Sequence, residues 1–181
     1  ILTELNQTWD GLVWVNDNQI LHHYIINNSD TLILTQTWRN SAWGNSSKTD
    51  RIFNSSGYLV EEIFSNFDTS SSGWIPSQRY LHTPNSLGLD NEIITQFRND
   101  TLWFDSYREV YTYDSLGRKS SLNTFYAFGI PGEWDHASDV SYNYDSLGNY
   151  IGYFNNCQGA CGISYETLTY DSLGHLQLNY N

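Results

Sequence analysis

The chain has 181 residues, with 8 Lys+Arg against 20 Asp+Glu for a net charge of -12, and is 39% hydrophobic and 16% aromatic. That composition can bury apolar surface and excludes a wholly disordered chain, while the negative charge opposes nucleic-acid phosphates and an acidic membrane surface. No run approaches the roughly 18 apolar residues of a spanning helix, so membrane insertion is not expected.

The chain opens on Ile1-Leu2-Thr3, with no initiator and no signal peptide, and reads as an excised segment or processed product of a longer protein. From there an internal repeat organises everything that follows. A degenerate first corner is Asn27-Asn28-Ser29-Asp30. Asn54-Ser55-Ser56-Gly57 and Asn85-Ser86-Leu87-Gly88 come next. The last three are Asp114-Ser115-Leu116-Gly117, Asp145-Ser146-Leu147-Gly148 and Asp171-Ser172-Leu173-Gly174. Their fourth positions are spaced by 27, 31, 29, 31 and 26 residues. Trp14, Trp43, Trp74, Trp103 and Trp134 keep a steadier beat of 29, 31, 29 and 31, and Ile163 takes the next slot.

The stretches flanking the corners read as strands. Tyr58–Phe64 and Asn91–Phe97 follow corners and are rich in β-branched and aromatic residues, as is Leu176–Tyr180. Tyr111–Tyr113, Val140–Tyr144 and Leu168–Tyr170 alternate apolar and polar residues and run into corners. The corner residues have separate roles. Asp or Asn at the first position accepts a bond from a backbone N–H two residues on. Gly57, Gly88, Gly117, Gly148 and Gly174 can take positive φ without a Cβ clash, as a type I turn with a G1 bulge requires. The expected unit is strand, corner, strand. The expected fold is all-β: six tandem hairpins, about twelve strands, in an extended antiparallel meander or curved, superhelical sheet. Residues 1–181 are expected to form one repeat domain. Pro84, in the slot held by Tyr113 and Tyr144 in later copies, marks its strand as locally altered.

Chemical signals are sparse. Cys157 and Cys161, in the last loop, are expected to form a local disulfide. His22 and His23 are adjacent and point to opposite faces if they lie in a strand, so they cannot easily share one metal there. No metal or cofactor site is expected. Calcium on turn carboxylates is the alternative reading of the Asp residues. Asp105, Glu109, Asp135, Asp139 and Glu166 invite a paired-carboxylate hydrolase, but sequence gives no separation for any pair, and no catalytic motif is present. The chain is read as not an enzyme.

The core Tyr-Asp-x-x-Gly stands complete at Tyr113–Gly117, Tyr144–Gly148 and Tyr170–Gly174. It resembles the YD repeats of bacterial cell-surface and secreted proteins, including Rhs-like shells. The aromatic repeats with a Trp in the preceding loop are also similar to those in long secreted proteins of Bacteroidetes. Phe53-Asn54 and Pro84-Asn85 depart from the core. The resemblance implies an extracellular or bacterial cell-surface β-sheet scaffold, partnered by neighbouring repeats or domains of its parent protein. Asp-Ser/Thr-aliphatic triplets at Thr31, Thr101, Ser115, Ser146 and Ser172 resemble a Bacteroidetes O-glycosylation motif. Two functions follow. The first is a structural repeat segment acting as a scaffold or stalk. The alternative is an adhesin module whose exposed Trp and Tyr rings bind a glycan or a surface protein. Trp14, Trp43, Trp74, Trp103 and Trp134 decide between them: buried loop wedges favour the scaffold, a solvent-facing ladder the adhesin.

Overall fold

A corner that supplies its own acceptor and a residue tolerant of positive φ reverses the chain wherever it occurs, and here it recurs. The computed structural model describes residues 2–10, 12–26, 29–129, 132–158, 162–170 and 176–177. Gly57, Gly88, Gly117 and Gly148 have φ of 82°, 79°, 77° and 90°. In each case the side-chain oxygen of Asn54, Asn85, Asp114 or Asp145 accepts from the N–H groups two and four residues on, at 2.8–3.1 Å. The glycine N–H closes the turn onto the first residue's carbonyl at 2.9–3.0 Å. Thus the acceptor, the bend and the glycine act together. The corner at Asp171–Gly174 and the first two residues of the corner at Asn27 lie outside the described residues.

The strands are β1 (Leu2–Trp9), β2 (Trp14–Ile26), β3 (Ser29–Arg39), β4 (Ala42–Phe53), β5 (Leu59–Asp68), β6 (Gly73–Pro84) and β7 (Asp90–Asn99). They continue as β8 (Leu102–Tyr113), β9 (Lys119–Ala127), β10 (Trp134–Tyr144), β11 (Tyr150–Cys157) and β12 (Ile163–Tyr165). Two short strands, β13 (Thr169–Tyr170) and β14 (Leu176–Gln177), pair with each other. The first twelve follow chain order in one sheet, and no helix occurs among the described residues. The all-β hairpin meander expected from the repeats is the observed fold.

Two packing units divide the chain. One comprises Ile1–Leu89 with Thr95–Phe104, the other Asp90–Ile94 with Asp105–Asn181. In the first unit, β1 to β6 pair antiparallel in succession. The β3–β4 hairpin closes with Asn40 and Ser41 at φ of 51° and 62°, a two-residue turn whose twist suits the strands. Between β5 and β6 the loop is held by Asp68, which accepts from the N–H and hydroxyl groups of Ser70 and Ser71. In the second unit, β8 to β12 pair in the same sequential way. Gly152 lies at the shifted register of β10 and β11, with φ of 129°, and a Cβ there would sit 2.0 Å from the Glu166 carbonyl oxygen. That missing side chain lets residues 166–168 run beside β11, donating from Glu166 N–H to Tyr153 O and from Leu168 N–H to Ile151 O.

Bulges recur where β2, β4, β6 and β10 depart from simple register. Pro76 is at one of them, opposite Ser65, where a ladder hydrogen bond is dispensable. Pro84 closes β6 as its last residue, so the strand is not interrupted. One extra residue reverses the inside–outside alternation for the rest of the strand. Trp43 and Asn45 therefore share a face with Lys48 and Asp50, because all four lie opposite Trp38, Gln36, Leu34 and Leu32 on β3.

No apolar side chain is buried among the described residues. The buried polar residues are Ser65, Thr95 and Thr124, on β5, β7 and β9. Most strand side chains are half-buried by their neighbours in the same sheet, so cross-strand pairs are the unit of stabilisation.

The Cys157–Cys161 disulfide expected from the sequence falls on Cys161, which lies outside the described residues. Among the described residues, Cys157 Sγ lies 3.8 Å from the Gln158 carbonyl oxygen.

Candidate functional site

The tryptophan series is the first candidate, and its surroundings show how each ring is used. At the loop ends, Trp9 meets Trp14, Trp38 meets Trp43, and Phe67 meets Trp74, edge to face with centroids 5.0–5.4 Å apart. These are directly opposed cross-strand pairs. Each joins an even-numbered strand to the one before it, and edge-to-face packing suits the ring quadrupoles.

A second contact reaches further. Lys48 Nζ on β4 lies 5.5 Å from the centroid of Trp74 on β6. Arg79 on β6 lies 4.7 Å from Trp103 on β8, and Arg108 on β8 lies 5.9 Å from Trp134 on β10. Each cation stands five residues after the Trp of its own strand and covers the Trp two strands on. In a regular strand, positions five apart face opposite sides; on β4 and β6 the bulge restores them to one face. The strand between contributes a matching residue. Ser65, opposite Lys48, is small and buried. Gln96 accepts from Arg79 Nε, and the Phe125 ring lies 5.3 Å from Arg108. Carboxylates complete the row: Asp50 for Lys48, Glu61 for Arg79 and Glu92 for Arg108, at 2.7, 3.3 and 2.5 Å. In the first hairpins amides replace the cation: Gln19 donates to Gln36, which donates to Asn45, at 2.6 and 2.8 Å.

Trp43, Trp74, Trp103 and Trp134 are thus half-buried, neither enclosed wedges nor a bare ladder. Trp14 differs, at 63% exposed, beside Trp9 at 51%.

The turn carboxylates are occupied. Asp114 is held below the usual carboxylate range by the backbone and side chain of Arg118, whose guanidinium is 2.7 Å away. The Asn149 side chain does the same for Asp145, at 2.9 Å. These contacts make them hairpin clamps. Among the described residues no group of three or more His, Cys, Asp or Glu is placed to hold a metal. No helix among them is long and apolar enough to cross a membrane.

The remaining carboxylates have separate neighbours. Asp139 bonds His136 at 2.8 Å, and Glu166 accepts from the Tyr150 hydroxyl at 3.2 Å. Glu109 lies by Tyr111, whose phenol is pushed well above its usual range, chiefly by burial and then by that carboxylate. Tyr150 is raised to about 12 by burial and by Glu166. Around Glu109, on the face that carries Tyr111, the second unit gathers Tyr107, Tyr126 and Tyr142. The sequence marks this cluster only in part: Tyr111 and Tyr142 each stand three residues before a corner, whereas Tyr107 and Tyr126 stand away from the corners and meet through the pairing of β8 with β9.

No protein-family model matches the chain, and no curated protein matches it either. Solved structures do. A protein of unknown function from Bacteroides fragilis NCTC 9343 matches with a TM-score of 0.52 at 8% identity, over 76% of this chain and 90% of that one. A DUF3836 family protein from Bacteroides vulgatus ATCC 8482 has a TM-score of 0.38 at 8% identity, over 66% of this chain and 97% of that one. Another from Parabacteroides distasonis ATCC 8503 has 0.28 at 11% identity, over 75% and 86%. The first match shows a shared fold and nothing of function. All three proteins come from Bacteroidetes, and none is described as a YD-repeat protein.

Proposed function

We propose that the chain is a structural repeat segment of an extracellular or bacterial cell-surface protein, a β-sheet scaffold that spaces or displays other parts of its parent. The observation that carries this reading is the fate of the tryptophans. Trp74, Trp103 and Trp134 are each covered by a cation from two strands earlier, so their rings tie the sheet together instead of facing a ligand. Stability built from nearest and next-nearest strand contacts is what a repeat array needs, since no unit can bury a core alone. The extracellular setting is supported by the resemblance of the repeats to YD and secreted Bacteroidetes repeats. No catalytic role is assigned to any residue.

A second reading, an adhesin module, has the Trp9–Trp14 pair in its favour, because both rings are more than half exposed. Replacing the segment in its parent protein with an unrelated β-scaffold of equal hairpin number separates the two. Retained surface display and binding by the parent is expected of a spacer. Loss of binding with display intact would contradict it and favour a recognition surface in the segment itself.

A further inference from the structure

The first packing unit holds a shallow cavity of about 330 Å³, on the face of the sheet opposite the Trp–cation row. Its floor is a grid of two rows across three strands. Thr49, Phe64 and Gln78 lie opposite one another on β4, β5 and β6, and Arg51, Glu62 and Tyr80 form the row beside them. Arg51 Nε donates to Glu62 Oε1 at 2.6 Å, and Glu62 Oε2 faces His82 Nε2 at 3.6 Å. Those two neighbours, His82 first, hold the Glu62 carboxyl below its usual range, so it is a carboxylate beside a guanidinium. Gln78 Nε2 donates to the Tyr80 hydroxyl at 2.7 Å. Phe64, between these polar groups, is 36% exposed.

Much hydrogen-bonding capacity is left over. Among the described residues the Arg51 guanidinium makes no other hydrogen bond, which leaves its Nη groups as donors. The Tyr80 hydroxyl accepts from Gln78 and keeps its own proton to donate, and the Gln78 carbonyl oxygen remains an acceptor. Donors, acceptors and an open aromatic ring therefore converge on one space of ligand size, and the local ion pair leaves that space without net charge.

The repeat itself sets this hairpin apart. Five residues after the corner glycine, Glu62 stands where the next two repeats carry Ile93 and Leu122; seven after it, Phe64 stands where they carry Thr95 and Thr124. The fourth copy has Tyr153 and Asn155 there, again with no carboxylate. Aliphatic and Thr side chains suffice for the sheet at those positions, and Thr95 and Thr124 are buried. A carboxylate and an exposed phenyl ring are not needed to build the strand.

We infer that this grid binds one neutral pyranose ring: Phe64 packs against a C–H face, while Arg51 and Glu62 together bond a vicinal pair of hydroxyls, one as donor and one as acceptor. A vicinal diol needs both functions side by side, and the Arg51 Nε–Glu62 Oε1 bond holds the free Nη donors of Arg51 beside the remaining lone pairs of the Glu62 carboxylate. Tyr80 and Gln78 are placed for a third hydroxyl. The site is separate from the Trp series and does not rest on the scaffold reading.

Saturation-transfer NMR and 15N-edited spectra of the intact chain, titrated with the methyl glycosides of glucose, galactose and mannose, test it. At least one glycoside is expected to bind saturably, with shifts centred on Arg51 Nε–H and the Phe64 and Tyr80 rings. Phe64→Thr, which installs the residue the next two repeats use, is expected to weaken binding about tenfold, as is Glu62→Gln, each with an unchanged circular dichroism spectrum. Tyr80→Phe provides a third variant should either fail to fold, with a smaller loss. Absence of saturable binding by all three glycosides overturns the inference. So does binding that none of the folded variants alters, or a methyl glucuronide that binds more tightly than the glucoside. Failure here leaves the scaffold reading intact, since that reading stands on Trp contacts on the other face.

Discussion

Removing Trp103 probes the lattice most sharply, because Trp14 serves as its internal control within the same packing unit. A Trp side chain buries about 200 Å² when fully covered, and Trp103 is half-buried, so Trp103→Ala returns about 100 Å² to water. At about 25 cal/mol/Å² that is about 2.5 kcal/mol, and the loss of Arg79 over the ring adds about 0.5–1 kcal/mol. The expected cost is therefore about 3 kcal/mol in urea unfolding. Trp14, at 63% exposed, should cost less by about 1 kcal/mol when changed to Ala. Arg79→Ala alone also frees Glu61 and Gln96, so its single cost is not the contact's energy. The double-mutant cycle with Trp103→Ala isolates the pair, with an expected coupling of about 0.5–1 kcal/mol. A coupling indistinguishable from zero, or equal costs at Trp14 and Trp103, would refute the reasoning.

Other outcomes follow from local geometry. Gly117→Val forces a β-branched residue to φ of 77° and should cost at least about 1–2 kcal/mol, whereas Gly117→Asn loses less; urea midpoints of the two variants decide this. Gly152→Ala puts a Cβ against the Glu166 carbonyl, so hydrogen exchange at Glu166 and Leu168 N–H should speed up while β8–β9 pairing keeps its protection. The Asp68 carboxyl is depressed to about 2, first by the Ser71 hydroxyl and then by Ser70. Its folded value lies below the unfolded one, so its stabilising effect is complete above the usual Asp range and disappears as pH falls through about 2. Carboxyl carbon NMR should place its midpoint near 2 in the wild type and return toward the ordinary value in Ser71→Ala. An Asp68 midpoint near 4 in the wild type would contradict the hydrogen bonding described.

How far the sequence reached depends on whether a feature is local. The corners were legible because acceptor, bend and positive-φ residue all lie within five positions: Asn54 or Asp114 binds N–H groups two and four residues on, with no help from elsewhere. The Trp beat was legible as spacing, but the role of the rings was not. Lys48, Arg79 and Arg108 stand five positions after a Trp, and an odd spacing in a regular strand assigns the two to opposite faces. Only the bulge reverses that assignment, and it shows as a register shift between strands, not as a residue type. The constant interval between Trp and cation was the available clue. The grid of Arg51, Glu62 and Phe64 was hidden for a related reason: it joins residues on three strands, and it stands out only once each is compared with its counterpart in later repeats.

Cations two strands away cover the tryptophans and bind the sheet laterally, and the scaffold role rests on that coverage. Ring-current shifts in an NMR spectrum of the intact chain measure it directly. The side-chain methylene protons of Lys48, Arg79 and Arg108 should all move upfield of their unfolded positions; those of Lys48 and Arg79 should return when Trp74 or Trp103 respectively is changed to Leu, and those of Arg108 should return in part with Trp134→Leu, because Phe125 still faces it. Methylene signals at unfolded positions in the native protein would contradict the claim.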